Sequence, residues 1–298
     1  MSLAASTNPP LSVEIVGSGV VGRAVGKAFL QHNIPTHFID INETTVQALQ
    51  AEGLSASTVM EGPLASTVSM LCVPTPSNED GAVLTFIRDA AITLGKRLAH
   101  TDHFHVVVVK STVIPGTTET VVLPLLEKYS GKKAGVDFGV CFNPEYLREH
   151  TAQEDALTPR LIIIGEQDGR TGDIMTQLYE SFDCMKARVP IKTAEFQKYV
   201  HNLFNAMKIA FFNEMRVVGH HWDVQGIEEI FSLTASSCEG IWNPVYGTKN
   251  LGAFAGSCLP KDLTAFLRAA QASHIDAFLA EAVLKQNTTY SLKTSQDI

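Results

Sequence analysis

Between the apolar run Val13–Val16 and the amphipathic stretch Val20–Gln31, the chain reads Gly17-Ser18-Gly19-Val20-Val21-Gly22. A G-x-G-x-x-G turn in that setting leaves little choice of fold. Its glycines permit a tight strand-to-helix turn and let a pyrophosphate approach the backbone at a helix N-terminus. Asp40 closes the next apolar run. A carboxylate about 20 residues on accepts from a ribose 2′-hydroxyl and repels a 2′-phosphate, which favours NAD over NADP. Without its neighbours the turn would be only a strand–helix connection. With strand, helix and acid in place, Gly17, Gly19, Val20, Val21, Gly22 and Asp40 become candidate cofactor residues.

Further strand-like runs follow at Thr36–Asp40, Thr67–Val73, His105–Lys110, Val136–Phe142, Leu161–Gly165 and Met185–Val189. Continuous apolar runs such as VVVV at 106–109 fit strands buried on both faces. Their alternation with helical stretches predicts an α/β domain over 1–192, with a Rossmann-like, doubly wound parallel sheet. From Thr193 to Val218 there is no Gly or Pro, which predicts one long helix capped by Thr193 and stopped by Gly219. Helical patterning continues to the end apart from a turn-rich break at Asn243–Pro260. Residues 193–298 therefore read as a long connecting helix followed by a smaller all-helical domain. One side of the long helix is apolar (Phe196, Tyr199, Leu203, Met207, Phe211 and Met215). It suits either intramolecular core or a dimer contact, and the small helical region favours the dimer.

Composition narrows the partners. The net charge of −8, from 23 basic against 31 acidic residues, leaves no basic stripe for nucleic acid. No apolar run approaches the ~20 residues of a membrane helix, and residues 1–11 lack the pattern of a secretion signal. Cysteines stand at 72, 141, 184, 238 and 258, widely spaced and without CxxC. That argues against a disulfide framework or a metal site and for a reducing, cytoplasmic setting.

Reactive side chains gather at strand C-termini, where open α/β sheets bind ligands. Cys72-Val73-Pro74-Thr75-Pro76 closes one strand and Lys110-Ser111-Thr112 another. Asn143-Pro144-Glu145 follows a third and leads to Glu149. Glu145 is either a functional carboxylate or a surface residue capping a helix Tyr146–Ala156. Lys198 and Asn202 lie one helical turn apart on one face. The pair is either a solvated face or a site where ammonium and amide hold a substrate oxygen. Cys258, in Gly256-Ser257-Cys258-Leu259-Pro260-Lys261-Asp262, precedes a helix, where the dipole and Lys261 favour the thiolate. Cys72, Cys141, Cys184 and Cys238 read as structural.

With these segments in this order, the chain resembles the UDP-glucose/GDP-mannose dehydrogenases, the NDP-sugar 6-dehydrogenases. The matching residues are GSGVVG at 17–22, Asp40, VPTP at 73–76, KSTVIPGTTE at 110–119, NPEYLREHTAQED at 143–155, AEFQKYVHNLFNAMKIAFFNE at 194–214 and GSCLPKD at 256–262. The resemblance implies oxidation of the C6 alcohol of a UDP-glucose-like nucleotide sugar to a carboxylate, using two NAD+ in turn. Cys258 would add to the aldehyde-level carbon, a second hydride loss would leave a thioester, and water would release the acid. Lys198 and Asn202 would stabilise the oxyanion, and Asp262 and Glu145 would handle protons and water. Thr112 would place that water or the nicotinamide, with Val73, Pro74, Thr75, Ser111 and Glu149 on the cofactor side. Tyr146, Leu147 and Lys261 would join the substrate contacts, no metal would be needed, and the long helix would pack against a second copy.

Three departures accompany the match. Full-length members carry a third, C-terminal nucleotide-binding domain, and this sequence stops just after a helix expected at Ile275–Tyr290, as either a natural short form or a truncated piece would. Ile241-Trp242-Asn243-Pro244 stands where the family has an arginine in a DxRIG-like segment, with Lys249 the nearest basic residue. The run Gly252-Ala253-Phe254-Ala255-Gly256 carries alanines where positive φ would be costly. Two other readings stay open: a non-catalytic NAD-binding assembly module, and a one-step 3-hydroxyacid-type dehydrogenase. The latter would need no thiol, so Cys258 discriminates.

Overall fold

The structure is a computed structural model that describes residues 10–79, 81–248, 252–255 and 258–294. Residues up to Val200 form one compact unit and those from His201 a second. In chain order the first unit contains β1 (Val13–Val16), α1 (Val20–Gln31), β2 (Thr36–Ile39), α2 (Glu43–Ala51), β3 (Ala56–Ser57), β4 (Val68–Leu71), the short strands β5 (Ser77–Asn78) and β6 (Gly81–Ala82), α3 (Thr85–Leu98) and β7 (His105–Val109). A π-helical turn (Thr118–Val122), α4 (Leu123–Ser130), β8 (Phe138–Phe142), a 3-10 turn (Glu149–Thr151), α5 (Ala152–Leu157), β9 (Leu161–Glu166), α6 (Gly169–Leu178), β10 (Met185–Pro190) and the start of α7 (Ile191–His221) complete it.

The apolar runs make a central sheet ordered β10-β9-β8-β7-β4-β1-β2-β3. Strand β7 shows how it is buried. Val106 and Val108 join one core layer with Ile15, Phe29 and Met70, while Val107 and Val109 join the other with Leu71, Ile87 and Leu94. Alternate side chains point to opposite faces, so a continuous run of valines serves both layers.

The sheet departs from the expected parallel arrangement at one edge. From β3 to β8 every pairing is parallel. Strand β9 meets β8 antiparallel, through Cys141–Phe142 opposite Gly165–Glu166, and β10 follows β9 in parallel. An apolar run reports burial on both faces but not strand direction. Val136 lies outside β8 and is exposed, because Gly135 turns the chain just before the strand.

Beneath these layers lies a buried polar network. Arg97 of α3 grips Glu14 of β1 with two nitrogens, at 2.6 and 2.9 Å, and both residues are under one-tenth exposed. Ser69 also donates to Glu14, and His105 bridges Ser66 O and Ser69 Oγ at 2.8 and 3.0 Å. Burial pushes His105 down to about 3, so its imidazole is neutral at ordinary pH.

Helix α7 begins directly after Pro190 rather than at a Thr193 cap, and it runs through Gly219 to His221. Gly219 is therefore a packing glycine, not a stop. A Cβ there would lie 2.9 Å from Ile227 Cδ1. The second unit adds α8 (Ile227–Ser237), α9 (Glu239–Trp242), α10 (Leu259–Ala272) and α11 (Phe278–Thr294). Glu214 of α7 caps α11 by accepting from Leu279 N and Ala280 N at 2.8 and 3.2 Å. The expected helix Ile275–Tyr290 thus starts later, at that cap. Among the described residues, no helix is long and apolar enough to cross a membrane.

Candidate active site

The glycine turn takes the shape its spacing predicts. Gly17 has φ +92°, and a Cβ there would lie 2.8 Å from the Cys72 carbonyl carbon and oxygen. A Cβ on Gly22 would run into the Gly17 carbonyl oxygen, so α1 can press against the turn only without a side chain. At Gly19 the Cβ direction is open, with nothing within 4 Å. Gly19 is the N-cap of α1 and offers no side-chain cap, leaving the first-turn N–H groups from Val20 and Val21 onward for a ligand. Asp40 stands beside the turn, its two oxygens accepting from Ser18 N at 2.7 Å and Asn42 N at 2.9 Å. Open space, uncapped amides and an adjacent carboxylate fit a dinucleotide.

The next loops are cross-tied. Ser111 Oγ donates to Val73 O at 2.6 Å and approaches Leu71 O at 3.2 Å. Thr75 Oγ1 donates to Thr112 O at 2.7 Å. Val73, Thr75, Ser111 and Thr112 are all half-buried, whereas Pro74 is exposed. The segment after Thr112 is pinned from α7: Glu195, fully buried, accepts from Gly116 N and from Thr118 N, the latter at 2.9 Å.

One helical turn along α7, Lys198 is 3% exposed and bonds both the Glu145 carbonyl and its carboxylate, Nζ to Oε1 3.0 Å. The other carboxylate oxygen of Glu145 accepts from Leu147 N at 2.6 Å. Tyr146 bonds Gln197, and its ring lies 5.2 Å from the Lys198 ammonium. Glu145 therefore does not cap a helix Tyr146–Ala156. Its carboxylate is engaged by Lys198 and Leu147, the segment stays extended, and helix starts only with the turn at Glu149 and then α5. Glu149 itself is exposed.

Sequence patterning placed Lys110 and Asn143 at strand ends without giving them a role, and passed over Tyr179 and Glu195. Lys110 Nζ lies 2.7 Å from Asn143 Oδ1, and the same oxygen accepts from Tyr179 OH at 2.6 Å. Glu195 holds the segment after Thr112. The available signal was a charge placed directly after a buried valine run, and an acid three residues before Lys198.

Two predicted site elements lie in the second unit. Asn202 is exposed on α7. Cys258 is exposed as the N-cap of α10, with Pro260 in the first turn and Asp262 N donating to Cys258 O at 2.9 Å. Lys261 pairs with Asp262 at 2.8 Å. Burial pushes the Cys72 thiol up to about 12 and Cys141 higher still, so those two stay protonated and unreactive. In the preceding loop positive φ falls on Gly252, and the alanines at 253 and 255 adopt none. Gly256, Ser257 and Lys249 lie outside the described residues.

The NAD binding domain model of the UDP-glucose/GDP-mannose dehydrogenase family matches residues 47–183, and that family's central domain model matches 192–289. The chain is similar to a GDP-mannose 6-dehydrogenase of Pseudomonas putida, 35% identical over 299 residues that cover 93% of this chain and 68% of the relative. A GDP-mannose 6-dehydrogenase of Azotobacter vinelandii is 39% identical over 254 residues, covering 83% and 58%. The crystal structure of a ternary complex of GDP-mannose dehydrogenase from Pseudomonas aeruginosa matches with a TM-score of 0.87 at 32% identity, covering 96% of this chain and 71% of that one. The chain thus spans 58–71% of the length of these three relatives.

Proposed function

This chain belongs to the UDP-glucose/GDP-mannose dehydrogenase family, and on that premise we propose that it oxidises the C6 alcohol of a nucleoside-diphosphate sugar to a carboxylate. The observation that carries the reading is the pair made by buried Lys198 with half-buried Glu145, set where the strands end and in the same unit as the glycine turn. A nearly dehydrated ammonium there is a strong donor to an oxygen gaining negative charge.

NAD, when bound at the Gly17–Gly22 turn, supplies the oxidant, two NAD+ for each sugar. Lys198 and Asn202 stabilise the C6 oxygen as charge develops on it. Glu145, bonded to Lys198, moves protons at that oxygen. The Cys258 thiolate forms a C–S bond to the aldehyde carbon, and the second oxidation leaves a thioester on Cys258. Water, held by Thr112, Glu145 and Asp262, then adds and the thiol departs. In sum, one alcohol, two NAD+ and one water become one carboxylate, two NADH and three protons.

Its similarity to GDP-mannose 6-dehydrogenases makes GDP-mannose the first substrate to offer, with UDP-glucose and UDP-N-acetylhexosamines beside it. The expected result is two NADH per sugar consumed and a uronate product. One NADH per turnover would mark a one-step dehydrogenase. NAD binding with no turnover across the panel would overturn the enzymatic reading and leave an NAD-binding module.

A second copy of the chain is the proposed partner of α7. On the expected contact side Phe196 is 60% exposed, Leu203 64% and Met207 46%, while the buried apolar residues of the second unit are only Val218, Ile227, Ala270 and Ala277 among those described. Sedimentation should therefore give twice the chain mass, and a monomer would refute the dimer.

A further inference from the structure

Lys110 is 4% exposed at the end of β7. Its Nζ reaches Asn143 Oδ1 at 2.7 Å and Asn143 O at 3.3 Å. Asn143, itself 1% exposed, follows β8 and donates through Nδ2 to Ile163 O of β9 at 2.7 Å. One ammonium thus ties the ends of β7 and β8, and the loops leaving those ends carry Thr112 and Glu145. The titratable groups facing it are Cys72 after β4, Cys141 in β8, Glu145 beyond β8 and Lys198 on α7, with the Tyr179 hydroxyl from the end of α6 meeting it at Asn143. Two buried ammoniums therefore act on one carboxylate.

We infer that Lys110 is a positioning residue for the oxidation proposed above: its charge fixes Asn143, and through Asn143 the Pro144–Glu145 turn, in the form that engages Lys198. The inference rests on that functional reading. Burial lowers Lys110 to about 8, with the Glu145 carboxylate opposing the fall and the Lys198 ammonium adding to it. The burial-raised thiols and phenol stay neutral across this range. As pH rises through about 8 the ammonium becomes an amine, and the charge-assisted bonds to both Asn143 oxygens weaken. The Glu145 turn then loosens, although Lys110 itself is buried.

The test uses the full chain, its Lys110→Met and Lys110→Arg variants, and two measurements. The first is amide hydrogen exchange of 143–149 without ligands at pH 7 and pH 9, corrected for intrinsic rates. The second is the pH profile of kcat for NADH formation. In the parent, protection of 143–149 should fall about tenfold between the two pH values, as expected when one charge-assisted bond is lost. Lys110→Met should lack that protection at pH 7 and should lose the alkaline limb near pH 8, whereas Lys110→Arg should keep protection at both pH values. Parent protection that does not change between pH 7 and 9 overturns the inference, and this needs no variant to fold. A parent-like alkaline limb in Lys110→Met overturns it too. Absence of turnover in the parent would count against the functional reading alone, since the exchange measurement decides the positioning role without it.

Discussion

Replacing Cys258 by alanine should stop formation of the sugar acid, lowering kcat for the full oxidation at least ~1,000-fold. Without the sulfur no C–S bond forms, so the aldehyde carbon has no covalent route to the second oxidation. NAD affinity should stay within about threefold of the parent, because the residues that fit the dinucleotide (the open turn, the uncapped amides and Asp40) do not include Cys258. Mass analysis of the product together with NADH stoichiometry makes the measurement. Acid released at the parental rate would refute the thioester route and favour a one-step dehydrogenase. The environments of the thiols motivate the choice. Cys258 is exposed at the first turn of α10, whereas Cys72 and Cys141 are held protonated by burial.

Arg97→Met should cost about 3–5 kcal/mol of folding stability, the usual penalty for leaving one partner of a buried ion pair uncompensated. Glu14 would then keep the Ser69 hydroxyl as donor to its carboxylate but lose both Arg97 nitrogens. At about 2–4 °C per kcal/mol for a chain of this size, the melting temperature should fall by roughly 10 °C. The double variant Glu14→Gln, Arg97→Met should recover most of the loss, because it removes the stranded charge as well as the pair. Urea unfolding of the parent and these two variants separates these terms. A loss below ~1 kcal/mol in Arg97→Met would show that water reaches Glu14 and that the pair does not support the sheet.

Much of the fold was legible because its signals are local. Val13–Val16 and Val20–Gln31 could be read to the residue, since a strand buried on both faces and a helix opening on a glycine turn each follow from a few adjacent positions. The reversed edge formed by β9 and β10 was not legible, because LIII at 161–164 is equally apolar in either direction. Gly219 misled for a related reason. Glycine often ends a helix, but here it admits Ile227, which no neighbouring residue announces. In the candidate site, Lys198 and Glu145 were named from motifs, while Lys110 was placed at a strand end without a role and Glu195 passed as an ordinary charge.

The amino-acid order by itself determined the dinucleotide turn, the succession of strands and helices, and the family to which the chain belongs. Each of these depends on backbone freedom, end signals and apolar period within short windows. Only the tertiary structure decided which charges are buried and what neutralises them. Glu145 meets Lys198 across 53 positions of chain, and Glu14 meets Arg97 across 83. A charge leaves water only where a remote partner and a fitted cavity offset its desolvation, and folding brings both together.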